Sequence, residues 1–258
     1  MPIETLLICA ILGALLGIVG GLFGIGGGII AIPALGLLFN MNQQAAEGTA
    51  LIMIVSNVFL GFWKYRQRSA IDWRLAVTLA LSASVVTYVT ARWAVHMPTS
   101  TLRDAFAAFL VLVAMYLAAR IIRSRVGQAD KAGNANGRAP LSWPWSAAIG
   151  VTGGALSGLF GVGGATIAPP ALTHFFGLSQ SAAQGLALAL IAPGTVIALL
   201  VYARAGAVNW DIGLALALGG LTTVSLGVAA AHRLPERKLR LMFCGFLVFT
   251  AGALYMHG

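Results

Sequence analysis

The chain has 258 residues, of which 59% are hydrophobic and only 9% are charged. Soluble globular domains carry about 25% charged residues, so this composition excludes a soluble protein and indicates an integral membrane protein. A net charge of +9 would suggest nucleic acid binding in a soluble chain. Here the basic residues lie at the ends of apolar segments, where anionic lipid headgroups account for them without any nucleic acid partner.

The predicted elements follow from the apolar segments in chain order. In the first half these are helices at 3–20, 45–63, 75–95 and 101–122, with a glycine-rich break at 20–28 and a short segment at 29–39. In the second half they are helices at 145–158, 181–203, 212–231 and 238–256, with a break at 157–165 and a short segment at 166–176. No segment alternates with the period of a barrel strand. We therefore predict an all-α polytopic membrane protein.

The two halves resemble each other at a constant spacing of 137 residues. Gly21–Leu35 reads GLFGIGGGIIAIPAL and Gly158–Leu172 reads GLFGVGGATIAPPAL, so eleven of fifteen positions are identical. The register continues without a gap through loops and helices, which indicates a duplication. We divide the chain into a first membrane repeat at 1–122, a polar and basic cytoplasmic linker at 123–142, and a second membrane repeat at 143–258.

The 16 Lys and Arg residues favour inverted repeats. If the short segments cross the membrane, giving five crossings per half, 13 basic residues are cytoplasmic and only Arg92, Arg103 and Arg204 lie outside. If they do not cross, giving four crossings per half, the division becomes 10 against 6. The excess of basic residues on the cytoplasmic side is larger with five crossings per half. An odd number of crossings inverts the second repeat relative to the first.

Each predicted break combines glycines with a following proline. The first contains Gly24, Gly26, Gly27 and Gly28, followed by Pro33; the second contains Gly161, Gly163 and Gly164, with Ala165 in place of a fourth glycine, followed by Pro169 and Pro170. Interrupted helices at matching positions in two repeats indicate a transport site. A helix that begins after such a break presents free N–H groups and the positive end of its dipole, which attract anions. We therefore predict an anion site near the membrane midplane between the repeats; the alternative is two tight turns that only allow close packing.

Other small residues and polar side chains have competing interpretations. Gly13, Gly17 and Gly21, and their counterparts Gly150, Gly154 and Gly158, are spaced for close helix packing. Gln43, Asn57 and Gln180 are candidate substrate ligands or, equally, interhelical hydrogen-bonding residues. Trp73 and Trp210, and Tyr65 and Tyr202, are typical of anchors at the membrane interface.

Two titratable residues are candidates for proton coupling. Glu47 is the only acidic residue near a helix beginning on the glycine side, and intramembrane carboxylates can carry protons. The interpretation we prefer places it in a turn at the level of the lipid headgroups, where it interacts with the helix dipole. His174, in the second short segment, either titrates or is an ordinary packed polar side chain.

Three other classes of function are compared with a carrier. A dinucleotide-binding enzyme is excluded because the glycines lack the strand, loop and helix context of that motif. An intramembrane hydrolase would need Ser157 with His174 or His232 as nucleophile and base, but Ser157 aligns with Gly20. A channel is disfavoured by the lack of a charged ring. No spacing of Cys or His predicts a metal or any other cofactor, and we expect no enzymatic activity.

The two glycine-proline motifs and the late segment LPERKLRLMFCGFLVFTAGALYM resemble the TauE/SafE family, also called the toluene sulfonate uptake permease family. The resemblance spans essentially the whole chain. It implies a multi-pass carrier of the bacterial inner membrane for sulfite, organosulfonates or related small anions, and it favours export over import. It also implies that Gly24, Gly26, Gly27 and Pro33, with Gly161, Gly163, Gly164 and Pro170, line the site.

Overall fold

A computed structural model describes residues 3–68, 73–124, 143–161, 163–176, 178, 180–233 and 245. This part of the chain forms α1 (Ile3–Phe23), α2 (Gly28–Phe39), α3 (Gln43–Arg68), α4 (Trp73–Ala94), α5 (Thr99–Ser124), α6 (Trp143–Phe160), α7 (Gly163–Phe175), α8 (Gln180–Arg204) and α9 (Trp210–Arg233), with no strand among the described residues. Five of these helices, α1, α3, α4, α8 and α9, are long and apolar enough to cross a membrane. The prediction of an all-α polytopic membrane protein is confirmed.

Several sequence predictions lie outside this description. Apart from residue 245, the predicted helix at 238–256 lies outside the described residues, and so does residue 162 within the second predicted break. The linker lies outside it from residue 125 onward, because α5 extends to Ser124 and α6 begins at Trp143. The proposed boundaries of the two repeats therefore stay predictions.

The helix breaks are shorter than the sequence predicted. Gly28 lies inside α2 rather than before it, and α2 continues through Pro33. In the second half α7 likewise continues through Pro169 and Pro170. A proline inside a helix removes one backbone hydrogen bond, but burial of Pro33 and Pro169 against neighbouring helices keeps both segments helical.

Each half contributes its first helix to a pair with the other half. Helix α1 packs along α9, and α6 packs along α4. Both pairs run parallel: Gly13, Gly17 and Gly21 of α1 lie in order against Leu216, Gly220 and Val224 of α9. A Cβ atom at Gly17 would lie 2.5 Å from the Gly220 carbonyl oxygen. These glycines therefore allow the close helix packing that their spacing predicted.

Helices α3 and α8 form the centre of the bundle and run antiparallel. Tyr202, near the end of α8, reaches Glu47 near the beginning of α3, whereas Tyr65, near the end of α3, reaches Gln184 near the beginning of α8. Helices α3 and α8 occupy equivalent places in the two halves at the spacing of 137 residues. An antiparallel arrangement of equivalent helices is what inverted repeats require, although the duplication itself stays a prediction.

The outer helices expose apolar side chains where a bilayer would surround them. Leu7, Ile11 and Leu15 of α1 are each more than half exposed, and so are Leu81 and Val85 of α4. Trp73 and Trp210, at the beginnings of α4 and α9, are both 50% exposed. These two positions fit the predicted interface anchors.

Replacing Gly13 and Gly36 by alanine should change stability in opposite directions. At Gly13 a Cβ atom would collide with the backbone of Leu216, and overpacking of this kind costs about 1–3 kcal/mol. At Gly36 the nearest atom to the new Cβ, the Met41 carbonyl oxygen, is 3.7 Å away. Alanine there should raise stability by about 0.5–1 kcal/mol through its better helix propensity. Thermal unfolding of both purified variants in the same detergent checks this; equal melting temperatures would contradict the close α1–α9 contact.

Candidate functional site

The first break depends on glycine for its backbone geometry. Gly27 precedes α2 with φ +89°, a left-handed conformation that side-chain-bearing residues rarely adopt. The amides of Ile30 and Ala31 donate to its carbonyl oxygen and start the hydrogen bonding of α2. A Cβ atom at Gly27 would lie 2.7 Å from the Leu16 carbonyl oxygen of α1. The beginning of α2 is therefore pressed against the middle of the preceding helix.

The second break has closely similar geometry. A Cβ atom at Gly164 would lie 2.5 Å from the carbonyl oxygen of Gly153, which stands 137 positions after Leu16. Gly161 has φ +68°, and its counterpart Gly24 has φ +69°. The beginning of α7 is thus in close contact with α6, as α2 is with α1, although Gly164 lies inside α7 whereas its counterpart Gly27 precedes α2.

Polar side chains from both halves of the chain reach the first break. Gln184 of α8 donates from Nε2 to the carbonyl oxygen of Phe23 at 3.3 Å and lies 3.5 Å from that of Leu22. The Tyr65 hydroxyl donates to Oε1 of Gln184 at 2.8 Å and lies 3.1 Å from the Gly21 carbonyl oxygen. Since a helix end leaves carbonyl groups without partners, Gln184 and Tyr65 together satisfy the end of α1 inside the protein.

The equivalent contacts at the second break involve a carboxylate. The Tyr202 hydroxyl donates to Oε2 of Glu47 at 2.6 Å and lies 3.4 Å from the carbonyl oxygen of Leu159, near the end of α6. Nε2 of Gln43 donates to Oε1 of Glu47 at 2.7 Å. Glu47 stands at the position equivalent to Gln184, so the two halves differ here by one titratable group.

Glu47 is fully buried, with 0% of its surface exposed. The next two residues contact the α8–α9 loop: Gly48 packs against Ala207, and the Asn209 amide donates to the Thr49 hydroxyl at 3.0 Å. Among the side chains that the structure describes, which do not include those of Arg68, Arg120, Arg123 and His174, no other acidic or basic one is buried. The carboxyl group therefore has polar neighbours but no basic partner in this part of the chain.

The interior holds side-chain atoms that lack a hydrogen-bond partner. Asn57 donates from Nδ2 to the Gly26 carbonyl oxygen at 3.2 Å, while its Oδ1 has no partner. The hydroxyls of Ser157 on α6 and Thr166 on α7 also have none, although both residues are only 1% exposed. Unpartnered buried polar atoms cost free energy and call for an explanation. Thr166 lies in the first turn of α7, and Ser157 lies one turn beyond Gly153.

Two sequence interpretations are wrong. Tyr65 and Tyr202 are not interface anchors, because both are 0% exposed and hydrogen-bonded across the two halves. Glu47 is not in a turn, because it lies inside α3, one turn after the helix begins, and is buried. Gln184 is a further residue of this site that the sequence predictions did not include. It could have been found, because it lies 137 residues after Glu47, the same spacing that separates Tyr202 from Tyr65.

The structure brings together only some of the predicted site residues. Gly24, Gly26, Gly27, Gly28, Asn57 and Gly161 gather at the two breaks beside α3 and α8, and Gly163 and Gly164 begin α7. Gln43 lies 8% exposed and contacts Glu47. The side chains of Pro170, His174, Gln180 and His232 lie outside the described part, so the hydrolase pairs cannot be placed. Among the described residues no group of His, Cys, Asp or Glu could hold a metal ion.

Replacing Gln184 by leucine should destabilise the protein. The change removes the hydrogen bonds that Gln184 makes with the Phe23 carbonyl oxygen and the Tyr65 hydroxyl, and a buried hydrogen bond contributes about 0.5–1.5 kcal/mol. The matched control is Gln67→Leu, because Gln67 is exposed on α3. Thermal unfolding in detergent should show a lower melting temperature for Gln184→Leu alone; equal values for the two variants would contradict the capping role.

Comparison with known proteins places these features in a family. The family model described as "Sulfite exporter TauE/SafE" matches residues 9–254. The chain belongs to the TauE/SafE family. Its resemblance to this family, seen first in the two glycine-proline motifs, is confirmed.

Curated relatives of this TauE/SafE chain are similar over almost their full length. It is 28% identical to a "Probable membrane transporter protein" of Xylella fastidiosa, across 99% of this chain and 96% of the relative. It is 24% identical to "Probable membrane transporter protein YunE" of Bacillus subtilis, across 95% of both. A third relative, from Methanocaldococcus jannaschii, is 26% identical across 92% of this chain and 90% of its own length. No solved structure matches the chain. The protein is a multi-pass membrane transporter.

Proposed function

We propose that this transporter carries a small anion, either sulfite, an organosulfonate or a related organic anion, across the bacterial inner membrane. The observation that carries the proposal is the burial of two helix beginnings, those of α2 and α7, beside the central α3–α8 pair. Free N–H groups and helix dipoles at such positions attract anions without a buried basic residue. Export is proposed because the matching family is described as a sulfite exporter.

The unpartnered hydroxyls support an anion site at the second break in particular. Thr166 lies in the first turn of α7, and Ser157 lies one turn beyond Gly153, whose carbonyl oxygen contacts Gly164; each hydroxyl can donate one hydrogen bond to an anion. Their counterparts in the first half are Gly20 and Ile29, which cannot donate from a side chain. We therefore place the tighter anion contact at α7.

The packing of helix ends supports the proposed orientation. The beginning of α3 contacts the α4–α5 loop, where Gln44 donates to the Met97 carbonyl oxygen at 2.8 Å. Arg92, Arg103 and Arg204, the three basic residues expected outside, lie on helix ends at this side of the bundle. Lys64 and Arg66, at the other end of α3, are then cytoplasmic, which agrees with the positive-inside bias.

A thermal-shift screen of the purified protein against sulfite, sulfate, alkylsulfonates and short carboxylates tests the site directly. A bound anion stabilises the folded state by mass action, by about 2.7 kcal/mol at a concentration of 100 times its Kd. We expect at least one sulfur-containing anion to raise the melting temperature, and chloride at equal ionic strength to leave it unchanged. Equal shifts from all salts would contradict a specific anion site.

Replacing Gly27 by leucine should abolish anion transport in proteoliposomes while the protein still inserts in the membrane, because the side chain would displace the beginning of α2. Gly164→Leu should do the same at α7. The control is Gly206→Leu in the α8–α9 loop. Gly206 also has a positive φ, of +70°, but nothing lies within 4 Å of its Cβ position. Normal transport by both break variants would remove the proposed site.

Removing either hydroxyl should lower the affinity for the anion without lowering the stability of the protein. Ser157→Ala and Thr166→Val delete buried donors that have no partner in the free protein, so we expect stability to stay equal or rise. Anion affinity should fall about tenfold, which is the value of one hydrogen bond to a charged group. Calorimetric titration and thermal unfolding of the same samples measure both quantities; unchanged affinity in both variants would contradict the placement at α7.

The direction and type of transport need separate measurements. Flux that saturates with anion concentration supports a carrier, whereas flux that does not saturate supports a channel. Uptake into right-side-out and inside-out vesicles distinguishes export from import by the same protein.

A further inference from the structure

The central helix pair contains two nearly equivalent hydrogen-bonded groups, which differ in one respect. At the first break Tyr65 donates to Gln184, and at the second break Tyr202 donates to Glu47. An amide stays neutral, whereas a carboxyl group can gain and lose a proton. The proposed anion site, with the hydroxyls of Ser157 and Thr166, lies at the second break, which Glu47 reaches through Tyr202.

We propose that Glu47 is a proton-binding site and that the anion and one proton bind this transporter together, so that movement of the anion is coupled to movement of a proton. The inference rests on the proposed function and adds its coupling ion. Coupling is confined to the second break, because Gln184 cannot titrate. The group that binds the proton is the Glu47 carboxylate, and the residue that relays its state is Tyr202.

Like charges explain why the anion and the proton bind together. An ionised Glu47 and a bound anion would be two negative charges in a low-dielectric interior, where repulsion is strong. The charged groups on the neighbouring helices and loops are exposed to solvent, so they do not neutralise these two negative charges. They are Arg204 on α8, Asp211 on α9, Asp104 on α5, Glu4 on α1 and His96 in the α4–α5 loop. Arg103 on α5 is partly exposed and lies 3.8 Å from Asp104, and the described α2 has no titratable side chain. A proton on Glu47 removes the repulsion, and linkage makes each ligand strengthen the binding of the other.

The position of Tyr202 lets protonation change the contacts at the helix break. With Glu47 ionised, the Tyr202 hydroxyl donates to Oε2 at 2.6 Å. When a hydronium ion from the bulk solution gives its proton to Oε2 and becomes water, the new O–H group can donate to the Tyr202 oxygen instead. The hydroxyl hydrogen of Tyr202 is then free to turn to the Leu159 carbonyl oxygen, 3.4 Å away at the end of α6. Protonation of Glu47 therefore strengthens the hydrogen bond from Tyr202 to the last turn of α6.

Glu47→Gln is the test variant, and the protein itself shows that glutamine fits. Gln184 occupies the equivalent position and accepts from Tyr65 as a glutamine at 47 would accept from Tyr202. The variant should therefore fold and keep the neutral form permanently. Tyr65→Phe is the matched control, because it removes the equivalent hydroxyl at the first break and leaves Glu47 intact.

The first experiment measures proton uptake when methanesulfonate, which stays ionised at all relevant pH values, is added to weakly buffered purified protein. Across mildly acidic to mildly alkaline pH, we expect a range in which wild type and Tyr65→Phe take up one proton per bound anion. In that range affinity should rise about tenfold for each unit fall in pH. Glu47→Gln should bind methanesulfonate with no uptake and no pH dependence. Binding by wild type without proton uptake at any pH would overturn the coupling while leaving the anion site in place.

The second experiment does not need an anion. Infrared difference spectra between alkaline and acidic samples should contain a protonated-carboxyl band in wild type and Tyr65→Phe that is missing in Glu47→Gln. Identical spectra for all three proteins would overturn Glu47 as the proton site even if anion transport is observed. If the band is present but wild type binds no anion at all, the proposed function fails while the proton site remains.

Discussion

Freed backbone groups at the two helix breaks are the constraint on which this structure depends. Inside a bilayer an unpaired N–H or C=O group has no water to bond with, so the protein must supply partners. At the end of α1 those partners are Gln184 and Tyr65, which come from two different halves of the chain. The breaks therefore tie the halves together and account for the burial of polar side chains in the centre of an apolar bundle.

Close backbone contact makes this arrangement possible. Glycines let α1 approach α9 and let the beginnings of α2 and α7 approach α1 and α6. Association of helices in lipid depends on packing and on interhelical hydrogen bonds, since lipid tails are as apolar as the side chains. The glycines between α1 and α2 thus also bring the amides at the beginning of α2 to the centre, where an anion could bind.

The two halves are similar in backbone and different in chemistry. The second break has Ser157, Thr166 and a contact from Glu47, whereas the equivalent positions at the first break are Gly20, Ile29 and Gln184. The first break instead receives Asn57, whose counterpart is Gly194. In a duplicated fold of this kind, one half can contact the substrate and the proton while the other half has neutral side chains at the equivalent positions.

The sequence by itself determined the membrane class, the order of the helices and the positions of the breaks. The membrane class and the helices follow from composition and from segments long enough to cross a bilayer. The breaks follow from the density of glycine, which has a low helix propensity. The sequence could not show how far the helices run through prolines, since packing stabilises α2 and α7 against the loss of a backbone bond. Nor could it show that Tyr65 and Tyr202 are buried partners of Gln184 and Glu47. Those pairs join residues 119 and 155 positions apart, and only the antiparallel packing of α3 against α8 brings them together.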